Sequence, residues 1–178
     1  MNLQMIDRNR MLCLALATVC LVSLTGAPAA VTETKLRKFA PGFTRNDSTG
    51  APVRLSDYKG KVVLLNFWAT WCHGCKLEIP WFMEFESRFK DSGLVVIGVS
   101  MDDDGWKSVK PYLGLKKINY PVVIGNGDLA KQYGLASMPM TVMIDREGKI
   151  AALHSGVVDK AACEDEIRRL LFEARTIQ

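Results

Sequence analysis

The chain has 178 residues, a hydrophobic fraction of 48%, a charged fraction of 24% and a formal net charge of +4. Those values suit a globular protein with one core of ordinary size, and they exclude a chain that is disordered over most of its length. Its lysines and arginines are spread along the sequence and accompany no nucleic-acid motif, so the charge implies a mildly basic surface and no nucleic-acid partner.

Residues 1–30 read as a secretory signal, with Arg8 and Arg10 ahead of an apolar stretch from Met11 to Leu24 and a small-x-small site at Ala27-Pro28-Ala29. The apolar stretch is about 14 residues, short of the ~20 of a comfortable span, which favours cleavage over an uncleaved anchor. Cys13 and Cys20 would leave with it. Cys20 lacks a lipoprotein pattern because Val19 and Ala17 take the deciding positions. Export would place the remaining cysteines in a periplasmic or otherwise extracytoplasmic compartment, where no glutathione pool reduces them. Residues 31–38 are polar and aperiodic, as in a linker, and a domain over 39–178 opens near Phe39.

Phe43-Thr44 and Val53-Arg54 flank the turn-rich Asn46 to Gly50, which predicts a short hairpin, followed by a helical turn capped by Ser56 or Asp57. Val62 to Phe67 is apolar apart from Asn66 and predicts a strand covered on both faces. In the next segment Ile79, Phe82, Glu86 and Phe89 share one helical face while Leu77, Trp81 and Phe85 line another. That pattern predicts a largely enclosed helix, kinked at Pro80. Leu94 to Ser100 predicts a second core strand. Asp102-Asp103-Asp104 then suits the start of a helix from Gly105 to about Leu115; three adjacent carboxylates point in different directions, which disfavours a cation site.

Tyr120 to Ile124 predicts a short strand, and Asp128 to Tyr133 a short helix with Gly134 as its C-cap. Thr141 to Ile144 and Lys149 to Leu153, around Asp145-Arg146-Glu147-Gly148, predict an antiparallel hairpin. Asp159 caps a last helix, on which Cys163 shares a face with Ile167, Leu170, Leu171 and Ala174, the pattern of a buried packing residue. Strands and helices in this order predict a small mixed sheet with helices on both faces.

The chemistry concentrates at Trp71-Cys72-His73-Gly74-Cys75-Lys76-Leu77-Glu78, which follows the first core strand. Two cysteines separated by two residues on the first turn of a helix bring their sulfurs within bonding distance. The exposed N–H groups and positive dipole end of that helix favour a thiolate at Cys72, and a protonated His73 would favour it further. A zinc site would need two more ligands. No second Cys-x-x-Cys or His-x-x-x-His pair exists, and the other histidine, His154, lies in a distant apolar run. We therefore expect a redox-active dithiol and no metal or other cofactor.

From Phe39 to Leu171 the sequence resembles the thioredoxin-like thiol-disulfide oxidoreductases, in particular the exported TlpA/ResA-type branch. The resemblance rests on Asn-Phe-Trp-Ala-Thr-Trp-Cys-x-x-Cys at 66–75, on Pro80 and on Met138-Pro139 before a strand. It implies an α/β thioredoxin fold, a mixed central sheet flanked by helices, with an N-terminal β-hairpin extension. It further implies Cys72 as attacking thiolate, Cys75 as resolving thiol and Pro139 as a cis-proline facing both. Trp71, His73, Gly74 and Met138 would complete the substrate surface, and Trp68 and Trp71 would pack under and beside the site. Glu78 matches a glutamate that this branch places near the dithiol, as proton acceptor for Cys75 or as a charge tuning both cysteines. Thioredoxin's buried acid corresponds to Asn66, an amide that cannot take a proton.

The implied activity is exchange with protein disulfides or dithiols through a mixed disulfide. The implied role is that of a monomeric reductant, fed by a membrane thiol carrier and acting for example in cytochrome c maturation. One departure bears on direction: such dipeptides commonly end in proline, whereas Gly74 stands here and makes the helix start less rigid. A more oxidising pair is then the competing outcome. Two other readings are thiol peroxidase, which needs a threonine where Ala69 stands, and a Sco-like copper module using both cysteines and His154, which would have three residues between its cysteines where this chain has two.

Overall fold

The computed structural model describes Thr32 and residues 36–173. The signal read at 1–30 lies outside the described residues, as do Val31 and residues 33–35 of the linker. Within the stretch read as a linker, Arg37 is buried and pairs with Asp145 at 3.0 Å and Glu173 at 2.8 Å, while Leu36 and Lys38 on either side are exposed.

The first two strands, β1 (Thr44–Asn46) and β2 (Pro52–Arg54), form the expected antiparallel hairpin. A 3-10 turn over Leu55–Tyr58 follows, and it has no side-chain cap. Ser56 and Asp57 fall inside it because it opens one residue earlier, at Arg54. The main sheet comprises β3 (Val62–Trp68), β4 (Leu94–Ser100), β5 (Val122–Ile124), β6 (Met140–Ile144) and β7 (Ile150–Ser155), in the order β5-β4-β3-β6-β7. β3 is parallel to β4, and β4 to β5, while β6 runs antiparallel to both β3 and β7.

Every residue of β3 and β4 is buried, and their alternation divides the core in two. Val62, Leu64, Trp68, Leu94 and Val96 face α1 (His73–Phe89), α2 (Trp106–Lys116) and α4 (Lys160–Glu173). Val63, Leu65, Phe67, Val95, Ile97 and Val99 face α3 (Gly127–Tyr133) and the N-terminal hairpin. Strands with a helical layer on each side read as unbroken apolar runs. Gly98 of β4 leaves room on the first face, since a Cβ there would sit 2.9 Å from Trp68 Nε1.

α1 buries Cys75, Glu78, Ile79, Phe82, Phe85 and Phe89, a stripe at three- and four-residue spacing. It is not enclosed all round, because Leu77 is 49% exposed. The helix runs on through Pro80. Truncating a fully buried ring such as Phe82 would cost about 3–5 kcal/mol. α2 begins at Trp106 with Gly105 at its N-cap and no side-chain cap bond, so the aspartates do not cap it as the sequence suggested. α3 is capped by Asn126 and closed by Gly134 at φ 68°. On α4, Cys163 is buried among Ile167, Leu170 and Leu171, and burial pushes its thiol well above the usual range. Asp159 accepts from the Ala162 N–H at 2.9 Å ahead of this helix.

Candidate active site

Cys72 is the N-cap of α1, delivered there by β3, and Cys75 lies on the first turn. The two are joined as a disulfide with Cα atoms 5.3 Å apart. The Cys75 N–H points at Cys72 Sγ at 3.2 Å, so the outer sulfur takes one of the donors a helix start leaves free. Cys72 is 7% exposed and Cys75 is fully covered. Cys72 thus keeps a small accessible surface and Cys75 keeps none.

The Met138–Pro139 peptide is cis, and Pro139 stands against the helix start. A Cβ added at Gly74 would lie 3.2 Å from Pro139 Cδ and 2.9 Å from Val157 Cγ2. Gly74 is therefore the small residue over which these two close. Trp71 is 66% exposed beside the cysteines, His73 is exposed, and Met138 packs its side chain partly into the core. Trp68 is fully buried beneath, its ring 5.4 Å from that of Tyr112.

Residues 36–153 match the AhpC/TSA family. The chain belongs to that family. It is 32% identical over 137 residues to the thiol-disulfide oxidoreductase ResA of Bacillus thuringiensis subsp. konkukian (strain 97-27), which covers 76% of this chain and 79% of that protein. A thiol:disulfide interchange protein of the thioredoxin family from Chlorobium tepidum TLS superposes with a TM-score of 0.70 at 26% identity, over 76% of this chain and 97% of the other. The exposed lipoprotein thioredoxin of Streptococcus pneumoniae strain TIGR4 gives 0.66 at 34%, over 73% and 100%. Within the family, the chain is a thioredoxin-like thiol-disulfide oxidoreductase of ResA type.

In this oxidoreductase Glu78 is fully buried one helical turn beyond Cys75, not solvated on the helix surface. Its Oε1 accepts from the Val158 N–H at 2.8 Å and its Oε2 from Asn66 Nδ2 at 3.3 Å. Burial pushes the carboxyl up to about 7, against those two hydrogen bonds and the field of His154. Asn66 also donates to Thr141 Oγ1 at 3.2 Å, while its buried Oδ1 has no partner.

Three arrangements here were not anticipated from sequence. Asp102 accepts from the Thr70 N–H, at 3.0 and 3.2 Å to its two oxygens, and also from the hydroxyls of Thr70 and Ser100. It therefore fixes the loop that leads to Cys72. His154 Nε2 lies 2.8 Å from Oε2 of the buried Glu166. Finally, Asn66, Thr141 and His154 occupy opposed positions on β3, β6 and β7, so they form one polar row beneath α1. Their common face was a readable signal, since each interrupts an apolar strand pattern. Among the described residues no three His, Cys, Asp or Glu side chains gather as a metal site.

Proposed function

We propose that the protein is an extracytoplasmic protein-disulfide reductase in which Cys72 attacks, Cys75 resolves and Glu78 takes the resolving proton. The observation that carries this reading is a fully buried carboxyl one helical turn past the inner cysteine, which its burial pushes up to about 7.

The Cys72 thiolate attacks one sulfur of a substrate disulfide, forming a Cys72–substrate bond and releasing the other substrate sulfur as a thiolate. Cys75 then passes its proton to Glu78 and attacks Cys72 Sγ. The Cys72–Cys75 bond forms, the mixed disulfide breaks, and the second substrate thiolate leaves. Two electrons pass to the substrate, and protonation of its two thiolates completes the balance. A water molecule is a poor proton acceptor for a covered thiol, and a carboxylate near its own midpoint is an efficient one.

Trp71, His73, Gly74, Met138 and Pro139 would form the surface that receives the substrate chain. Exported proteins, apo-cytochromes among them, are the proposed substrates, and a membrane thiol carrier returns the electrons by the same exchange in reverse. Two things support the location: the signal-like residues 1–30, and the description of the pneumococcal relative as an exposed lipoprotein. No helix among the described residues is long and apolar enough to cross a membrane.

The deciding experiment is the reduction potential of the dithiol, measured by equilibration with a thiol buffer. We expect a value at or below about −200 mV, and a value close to the roughly −120 mV of a strong oxidant would overturn the direction.

A further inference from the structure

We propose that His154, held in place by Glu166, is a positioning residue for the dithiol reaction: its positive charge keeps Glu78 in the carboxylate form that accepts the Cys75 proton. The inference rests on the role given to Glu78 above.

The geometry puts the two groups on one side of the sheet. His154 is opposite Thr141, which is opposite Asn66, and Asn66 reaches both Thr141 and Glu78. Two strand spacings separate His154 from Asn66, about 10 Å, and the intervening space is packed interior in which charges are only weakly screened. Glu166 comes from α4, is almost wholly buried, and bonds His154 Nε2. A buried carboxylate beside an imidazole favours the imidazolium, and the side chain of His154 is 19% exposed, so it exchanges its proton with solvent. Glu78 and Cys75 have no such exposure.

The titratable groups around this cluster are few. Glu78 acts on His154 from α1 and Glu166 from α4, and His154 is the charged side chain that bears on Glu78. Cys163 of α4 feels Glu166, Glu78, Asp159 and Glu164, and its thiol stays neutral. Tyr120 feels Tyr112, Glu78 and Glu86 and likewise stays neutral. The charge on Glu78 therefore varies with that on His154, and the reverse follows by reciprocity.

The test follows the Glu78 carboxyl by 13C NMR and the two imidazoles by proton NMR, with single-turnover kinetics of mixed-disulfide resolution across pH. His154→Gln removes the charge and should raise the Glu78 midpoint by roughly half a pH unit, slowing resolution about threefold below that midpoint. His154→Lys keeps a charge there and should bring both back toward wild type. Reciprocity supplies a second measurement should the His154 variants fail to fold: Glu78→Gln should lower the His154 midpoint by the same amount. An unmoved Glu78 midpoint in His154→Gln, equal shifts in His154→Gln and His154→Lys, or an unmoved His154 midpoint in Glu78→Gln each overturns the proposal. If resolution keeps its wild-type pH profile in Glu78→Gln, the role of Glu78 itself fails. The NMR midpoints then show separately whether the two groups are coupled.

Discussion

Asn66 Nδ2 lies 3.3 Å from Oε2 of Glu78, while the opposite end of the same amide, Oδ1, is buried without a partner. This arrangement suits an ionised Glu78, which only accepts. A protonated Glu78 has an O–H to donate, and a half-turn of the Asn66 amide would present Oδ1 to it. The pair therefore accommodates both states of the acid with one small rotation.

That accommodation frames the first prediction, on stability. The folded Glu78 midpoint of about 7 stands above the ordinary 4.5, so folding favours the protonated form. The resulting stabilisation is fully present below about 4.5 and is lost as pH rises through about 7. The distance between the two values corresponds to at most about 3 kcal/mol. Urea melts of the oxidised protein should show Glu78→Gln gaining relative to wild type between pH 5 and 8. A constant difference across that range would mean that Glu78 does not titrate there.

Kinetically, the same substitution should slow release of the mixed disulfide and leave the first attack by Cys72 nearly unchanged, because only the second step needs a proton acceptor. Stopped-flow single turnovers resolve the two steps, and equal effects on both would contradict the assignment.

The second prediction concerns the sulfurs. In the reduced protein Cys72 should be alkylated much faster than Cys75 near neutral pH, since it caps the helix and reaches solvent while Cys75 is covered. Cys72→Ser should abolish exchange, and Cys75→Ser should trap mixed disulfides. Mass spectrometry of quenched time points reads both, and equal alkylation or an absence of adducts would exchange or remove the roles.

What the sequence revealed followed from local rules. Unbroken apolar runs marked β3 and β4, Gly134 marked the end of α3, and the Cys-x-x-Cys spacing marked the site. Contacts made at long range were hidden. Asp102 looked like part of a helix start and instead binds Thr70, 32 positions earlier, because the loop after β4 returns beside the loop after β3. The resemblance alone places Glu78 at the site, since a carboxylate reads as polar even where it lies within the buried stripe of α1, and the sheet beneath supplies its partner. The enclosed helix was over-read at Leu77, where aromatic neighbours widened the apparent apolar face.

The third prediction tests Asp102. Its carboxylate holds the Thr70 N–H and two hydroxyls, and Asp102→Ala leaves a partly buried N–H without an acceptor, at about 1–3 kcal/mol. Chemical denaturation should show that loss. Hydrogen exchange at Thr70 should quicken along with it, since the loop before Cys72 loses its anchor. Unchanged exchange there would mean that packing alone holds the loop.

The last prediction concerns the departure between the cysteines. Proline at position 74 restores the commoner motif and would stiffen the helix start, but its Cβ would fall 2.9 Å from Val157 Cγ2 and 3.2 Å from Pro139 Cδ. Pro139 is rigid, whereas Val157 is a partly exposed side chain that can be cut back. Gly74→Pro alone should therefore be destabilised, by about 1–3 kcal/mol as in other overpacked sites. Adding Val157→Ala should recover much of that loss, and the same Val157→Ala in the Gly74 background should cost little. A double-mutant cycle by urea denaturation measures the coupling. If the two changes are simply additive, the contact over Gly74 does not explain why glycine stands there.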